Sequence, residues 1–106
     1  MLESTLRIIN TIRAIPPGKV ASYRDIAITA GLPNGARQVA RILHSMTESQ
    51  KLPWYRVIKA DGRIALPQGY GKELQIALLR QEGVEVSDTG QVDMAQYAVF
   101  VSTKLG

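Results

Sequence analysis

Apolar residues recur at helical spacing at the start of the chain. In "STLRIINTIRAI", residues 4–15, Leu6, Ile9 and Ile12 follow one another every three positions. This spacing places them on one face of a helix, and Ser4 is a residue type that caps helix N-termini. The chain is therefore predicted to begin with an amphipathic helix, which the following "PPG" ends in a turn.

Two further helical patterns lie close together. "SYRDIAITAG", residues 22–31, starts with the capping-box pair Ser22 and Asp25 and ends at a glycine. After "LPNG", the segment "ARQVARILHSM" repeats its apolar positions at i, i+3, i+4 and i+7. Two short helices joined by a tight turn predict a helix-turn-helix. The residues of its second helix that are expected to face the core are Ala36, Val39, Ala40 and Leu43.

The second half of the chain mixes strand and helix patterns. "YRVIKADGRIAL", residues 55–66, predicts a hairpin with its turn at "DG", and residues 84–94 predict a second hairpin or strand pair. Between them, "KELQIALLRQEG" predicts a fourth helix with Leu74 and Leu78 on its buried stripe.

Length and composition fit one globular domain. The chain has 106 residues, of which 45% are hydrophobic and 21% charged. With the element pattern, this predicts a mainly α fold with small β-hairpins. We expect a single winged helix-turn-helix-type domain over residues 1–106, whose tail after about residue 93 has no assigned structure. No apolar run approaches the ~20 residues of a membrane-spanning helix, and "MLESTLRIIN" does not fit a secretory signal. We therefore expect a cytoplasmic protein with no membrane partner.

The residue types exclude several kinds of chemistry. The absence of cysteine excludes disulfides, a thiolate nucleophile and cysteine-ligated zinc. The single histidine, His44, leaves a histidine-based metal site with too few ligands. No metal and no cofactor are expected.

Positive charge is concentrated in the first half of the chain. Residues 1–60 hold nine Lys or Arg against three Asp or Glu, whereas residues 61–106 hold four against six. A localised positive field suits a polyanion such as nucleic acid, although many small domains are mildly basic without such a role.

The outward face of the third helix carries basic side chains. Arg37, Arg41 and His44 follow the spacing i, i+4, i+7 opposite the apolar stripe, and Gln38 flanks them. Small residues at the helix start would let the backbone approach a phosphate or a groove, where free N–H groups favour anions. These small residues are Gly35 and Ala36. The pattern is typical of a DNA-contacting helix, but an ordinary solvated face would look the same.

Three segments together resemble the C-terminal domain of the O6-alkylguanine-DNA alkyltransferases. They are "GKVASYRDIAITAG", "ARQVARIL" and "LPWYRVIKADGRI", in this order, and the resemblance covers roughly residues 4–86. Those repair proteins carry a reactive cysteine in a proline-cysteine-histidine-arginine motif, where this sequence has "PWYR". Tryptophan at the cysteine position is the mark of the alkyltransferase-like proteins. Arg37 and Trp54 are seventeen positions apart, as the family spacing requires.

The resemblance implies roles for residues in both halves of the chain. Arg37 would enter the base stack from the minor groove in place of a flipped-out nucleotide. Tyr23 would rotate the phosphate and touch the extruded base, although a tyrosine packed in the core is the simpler explanation. Other implied DNA contacts are Gly35, Ala36, Gln38 and Arg41. The implied lesion pocket comprises Trp54, Tyr55, Val57, Pro67, Gln68 and Gly69, and the residues with an implied structural role are Pro53, Arg56 and Glu82.

Two departures from the enzymes argue against alkyl transfer. Tyr55 replaces the histidine that links a glutamate, through water, to the cysteine, and Glu82 resembles that glutamate. Met46 stands where the enzymes have an asparagine that supports the turn before the motif.

We interpret the sequence as that of a non-enzymatic DNA damage sensor. It is expected to be a nucleoid-associated monomer that binds O6-alkylguanine in duplex DNA. The resemblance also implies that it flags the lesion for nucleotide excision repair. One alternative is a winged-helix, sequence-specific transcription regulator, which predicts a dimer on half-sites one helical turn apart. Another is an enzyme of unfamiliar chemistry, which would need a nucleophile or base that the sequence does not obviously offer.

Overall fold

The computed structural model describes residues 1–100, and its helices follow the predicted order. They are α1 (Glu3–Arg13), α2 (Tyr23–Thr29), α3 (Ala36–Gln50), α4 (Lys72–Gln81) and α5 (Met94–Tyr97). Two short strands are β1 (Ala21–Ser22) and β2 (Val57–Ile58), and a 3₁₀ turn spans Trp54–Arg56. The fold is mainly helical with little β-structure, as predicted. Part of the unassigned tail forms α5, and residues 101–106 lie outside the described residues.

One of the two predicted helix caps is confirmed. The backbone N–H of Asp25 donates to Ser22 Oγ at 3.0 Å, and α2 begins immediately after this serine. The prediction for Ser4 is wrong, because α1 begins after Leu2 without a side-chain cap. Ser4 Oγ instead accepts a hydrogen bond from Gln38 Nε2 at 3.2 Å, which links α1 to α3.

Several predicted core positions face outward. Leu6 is 46% exposed and Leu74 is 55% exposed, and Ala40 is exposed as well. Each helix has neighbouring apolar stripes, and packing selects between them, because local spacing does not say where the next element lies. The residues buried in α1, α3 and α4 are Ile8, Ile9, Ile12, Val39, Ile42, Gln75, Ile76 and Leu79.

The strands pair across a long stretch of sequence. β1 and β2 are parallel, with Ala21 opposite Val57 and Ser22 opposite Ile58. The predicted hairpin over residues 55–66 is therefore wrong for its first arm, which pairs with β1 instead. A parallel pair needs a long crossover, and here α2 and α3 supply it.

The predicted turn at "DG" is present. The N–H of Gly62 donates to the carbonyl of Lys59 at 2.9 Å. After this turn, the chain pairs with the second predicted strand segment. Within residues 84–94, the predicted strand pair is also present and is antiparallel. The bridges join Arg63 to Gln91 and Val86 to Val92.

The strand pair separates two apolar clusters among the described residues. Ala21 and Val57 face the cluster formed with α1, α2 and α3, whereas Val20 and Ile58 face the cluster formed with α4 and the C-terminal bridges. Alternation of side chains along the strands produces this division. No helix within residues 1–100 has the length and apolar character that crossing a bilayer requires.

Candidate functional site

A glycine shapes the turn between α2 and α3. The N–H of Leu32 donates to the carbonyl of Ala27, and the N–H of Gly35 donates to the carbonyl of Leu32, both at 2.8 Å. A Cβ on Gly35 would lie 3.0 Å from the Leu32 carbonyl oxygen, which is closer than ordinary contact. A side chain at position 35 would therefore crowd the turn. The turn joins α2 and α3, which together form the helix-turn-helix.

The exposed face of α3 is cationic, as predicted. The side chains of Arg37, Arg41 and His44 are exposed, and none of them is in an ion pair within residues 1–100. Gln38 does not share this face, since it is half-buried and its amide is turned toward Ser4.

A cavity of about 430 Å³ opens between the helix-turn-helix and the "PWYR" motif. Its volume lies within the roughly 300–1,000 Å³ that is typical of small-ligand sites. The structure brings Tyr23, Trp54 and Val57 together on its wall. The remaining lining residues are Ala40, Leu43, His44, Thr47, Leu66 and Gln75.

Trp54 reaches this wall from a constrained backbone. Pro53 precedes the 3₁₀ turn with φ −76°, and the N–H of Trp54 donates to the carbonyl of Leu52 at 2.8 Å. The half-buried indole meets the Tyr55 ring edge to face, with ring centroids 5.9 Å apart. Pro53 thus lies beside the site without lining it.

Four residues that the resemblance implied for the pocket do not line this cavity: Tyr55, Pro67, Gln68 and Gly69. The hydroxyl of Tyr55 instead donates a hydrogen bond to Glu82. Pro67, Gln68 and Gly69 are exposed, and the N–H of Gly69 donates to Glu73 Oε1 at 3.0 Å. This bond joins the loop to the start of α4, and the adjoining Leu66 lines the cavity instead.

A charged cluster behind the motif ties distant segments together. Arg56 Nη2 lies 2.6 Å from Glu82 Oε2, and Arg56 Nη1 donates to the carbonyl of Ile15 at 2.9 Å. Glu82 Oε1 also accepts the N–H of Gly18 at 3.1 Å, and Oε2 accepts the hydroxyl of Tyr55 at 2.8 Å. The motif is thus fastened to the end of α1, the turn after it and the end of α4.

These contacts shift the titration of the groups involved. The hydrogen bonds from Arg56 lower the pKa of Glu82, with further help from Gly18 and Tyr55. Burial, followed by the bond to Glu82, raises the pKa of Tyr55, and burial raises the pKa of Tyr23. Both phenols are therefore neutral hydroxyl groups at physiological pH.

The sequence predictions missed part of the cavity wall. Leu43 packs against the core as predicted and also lines the cavity, whereas Ala40 is exposed and lines it together with Thr47 from the same helix. Gln75 was missed entirely. Gln75 shares a face of α4 with Leu79, but the apolar spacing had favoured the neighbouring face with Leu74 and Leu78, so no local signal indicated it.

A larger, more open depression of about 760 Å³ lies elsewhere and shares no lining residue with this cavity. Its charged lining residues are Asp61, Glu85 and Asp93, which disfavour a nucleic acid. Within residues 1–100, no group of three His, Cys, Asp or Glu could hold a metal ion.

Comparisons with known proteins agree with the sequence resemblance. Residues 3–84 match the family model of the 6-O-methylguanine DNA methyltransferase DNA-binding domain. The chain is 41% identical over 97 residues to a DNA base-flipping protein of Vibrio parahaemolyticus, covering 92% of this chain and 96% of that protein. It is 34% identical to alkyltransferase-like protein 1 of Schizosaccharomyces pombe, covering 84% and 83%.

A solved structure shows the same fold. The crystal structure of S. pombe Atl1 in complex with damaged DNA containing O6-carboxymethylguanine superposes with a TM-score of 0.83 at 31% identity, covering 93% of this chain and 96% of that chain. The chain therefore belongs to the family of 6-O-methylguanine DNA methyltransferase DNA-binding domains, among its alkyltransferase-like members.

Proposed function

We propose that this protein recognises O6-alkylguanine in duplex DNA, flips the base into the cavity beside Trp54 and holds it without removing the alkyl group. The observation that carries the proposal is the position of the cavity. It is lined by Trp54 and Tyr23, and by His44 from the same helix that presents the exposed Arg37 and Arg41.

The cavity wall suits an alkylated base. The Trp54 indole offers a flat apolar face, and stacking of a base on an aromatic ring contributes about 1–3 kcal/mol. Extruding a base costs a few kcal/mol, and less where a lesion has already weakened the pair. An apolar wall near the alkyl group therefore favours damaged over intact guanine.

The cationic face of α3 supplies the remaining part of the binding. Arg41 would neutralise phosphate charge, and Arg37 would enter the duplex from the minor groove to fill the space that the base vacates. Tyr23, whose hydroxyl is neutral, would donate to the phosphate beside the extruded nucleotide.

The site lacks the parts of an alkyl acceptor. Trp54 stands where the enzymes of this family carry the reactive cysteine, and Tyr55 is hydrogen-bonded to Glu82. A tightly held lesion that is not repaired must be passed on, and nucleotide excision repair is the fate that the family resemblance implies. One relative named as a DNA base-flipping protein, and another solved with damaged DNA, support recognition of damaged DNA by base flipping.

The test is a titration of one labelled duplex carrying either guanine or O6-methylguanine, at fixed salt, followed by fluorescence anisotropy. We expect tighter binding to the lesion duplex and an unchanged protein mass afterwards. Equal affinity for the two duplexes would refute lesion recognition, and a protein heavier by one methylene would refute binding without transfer.

A further inference from the structure

Gln75 is a buried polar residue at the cavity. The residue is 2% exposed, and it lines the cavity with Trp54 and Tyr23. Its neighbours in the buried stripe of α4 are Ile76 and Leu79. A buried amide is unfavourable unless its polar atoms find partners, so its hydrogen bonds need a full account.

The nitrogen of this amide is fully used by the backbone of the motif. Nε2 donates to the carbonyl of Tyr55 at 3.0 Å and to the carbonyl of Val57 at 3.1 Å. An amide nitrogen has two hydrogens to donate, and both are engaged. The opposite amide orientation would bring Oε1 against two carbonyl oxygens, so the direction of Oε1 is determined.

The oxygen of the same amide is available to a ligand. Within residues 1–100, Oε1 has no hydrogen-bond partner, and no side-chain nitrogen or oxygen that is sealed from solvent lacks one. Oε1 is therefore not sealed from solvent, and Gln75 is one of the residues that line the cavity. Gln75 thus offers a ligand in the cavity one acceptor whose direction is fixed.

A fixed acceptor selects a ligand with an N–H donor. On an O6-alkylguanine, N1 carries no hydrogen, so the exocyclic 2-amino group is the donor that the base offers. Resting on the function proposed above, we propose that Gln75 Oε1 accepts a hydrogen bond from this 2-amino group. Gln75 then restricts the cavity to 2-aminopurines with a substituent at C6, whereas the indole senses the substituent.

The test compares O6-methylguanine with O6-methylhypoxanthine, which lacks only the 2-amino group, in the same duplex. Wild-type protein is expected to favour O6-methylguanine by about two- to tenfold, the value of one neutral hydrogen bond. Gln75→Met removes both the donor and the acceptor. Gln75→Lys keeps N–H donors for the two carbonyls and removes the acceptor. In both variants the preference for O6-methylguanine should be about two- to tenfold lower than in wild type.

Because the cost of opening each duplex is the same for every protein, it cancels when preferences are compared between variants. The inference would be overturned if a variant bound both duplexes more weakly by the same factor and kept the wild-type preference for O6-methylguanine. Gln75 would then only position the cavity wall. If Gln75→Met does not fold, Gln75→Lys alone decides. Failure of the wild-type protein to distinguish O6-methylguanine from guanine would instead refute the proposed function.

Discussion

The hydroxyl of Tyr55 donates to Glu82 Oε2 at 2.8 Å, across 27 positions of sequence. The same carboxylate oxygen is paired with Arg56 at 2.6 Å, and the Arg56 guanidinium lies over the Tyr55 ring, 5.3 Å from its centroid. Glu82 thus holds the motif from behind, while Trp54 faces the cavity. The Tyr55 hydroxyl is thus engaged in a structural contact and does not line the cavity.

Removing Glu82 should destabilise the protein substantially. The Arg56 and Glu82 side chains are only 12% and 14% exposed, so Glu82→Ala would leave a largely buried guanidinium without its partner. Loss of one partner from a buried pair costs about 3–5 kcal/mol, and urea unfolding would measure it. The matched control is Glu3→Ala, whose pair with Arg7 is exposed and contributes less than about 1 kcal/mol. Equal effects of the two substitutions would contradict the assignment.

The same carboxylate should make stability depend on acidic pH. The pKa of Glu82 is lowered in the folded state, so its contribution is fully present above the unfolded-state value of about 4.5. This contribution is lost as pH falls through the lower, folded-state pKa. We expect the free energy of unfolding to fall more steeply below about pH 4.5 for wild type than for Glu82→Gln. Parallel curves for the two proteins would show that titration of Glu82 does not cause the acid sensitivity.

Restoring sulfur alone should not restore alkyl transfer. The attacking species must be a thiolate, and a free cysteine has a pKa of about 8.5, so Trp54→Cys would be mostly protonated. Tyr55 cannot serve as its base, because the pKa of this phenol is raised above 10.0 and its hydroxyl is committed to Glu82. Trp54→Cys should react slowly or not at all with an O6-methylguanine duplex, and Trp54→Cys with Tyr55→His should react faster. Mass spectrometry would follow the added methylene, and rapid reaction of the single variant would show that Tyr55 is incidental.

The two exposed arginines of α3 should have separable effects. Arg41→Ala should reduce the slope of log K against log salt by about one and weaken binding to all duplexes by a similar factor. Arg37→Ala should reduce lesion affinity several-fold and also reduce flipping, which a fluorescent base analogue at the lesion would report. If Arg37→Ala changes only the salt slope, it is a phosphate contact and does not enter the stack.

Tyr23 should contribute its hydroxyl to binding and its ring to packing. The ring packs against the cluster of α1, α2 and α3 and also lines the cavity. A hydrogen bond to a charged phosphate contributes about 1.5–3 kcal/mol, so Tyr23→Phe should lower lesion affinity about tenfold or more and leave the unfolding transition nearly unchanged. Circular dichroism and anisotropy would separate the two effects. Binding that survives Tyr23→Phe but is lost with the folded signal in Tyr23→Ala would assign Tyr23 to packing alone.

The sequence by itself predicted helices α1 to α4, the turn between α2 and α3 and the family, but not α5. Helical periodicity and the Ser22 cap are local properties, so they can be recognised without knowing what packs nearby. The motif around Trp54 and its spacing from Arg37 can likewise be read directly from the sequence. Each of these features depends on residues within a few turns of one another or on letters at fixed positions.

The tertiary structure alone decided which faces are buried and what forms the cavity wall. Leu6 and Leu74 are exposed because the neighbouring stripe of each helix meets the core. β2 pairs with β1 rather than with the segment after its own turn, and this pairing carries Val57 to the cavity. Gln75 becomes a site residue because two carbonyls from another segment fix its amide. These choices depend on contacts between residues far apart in sequence, which no local pattern encodes.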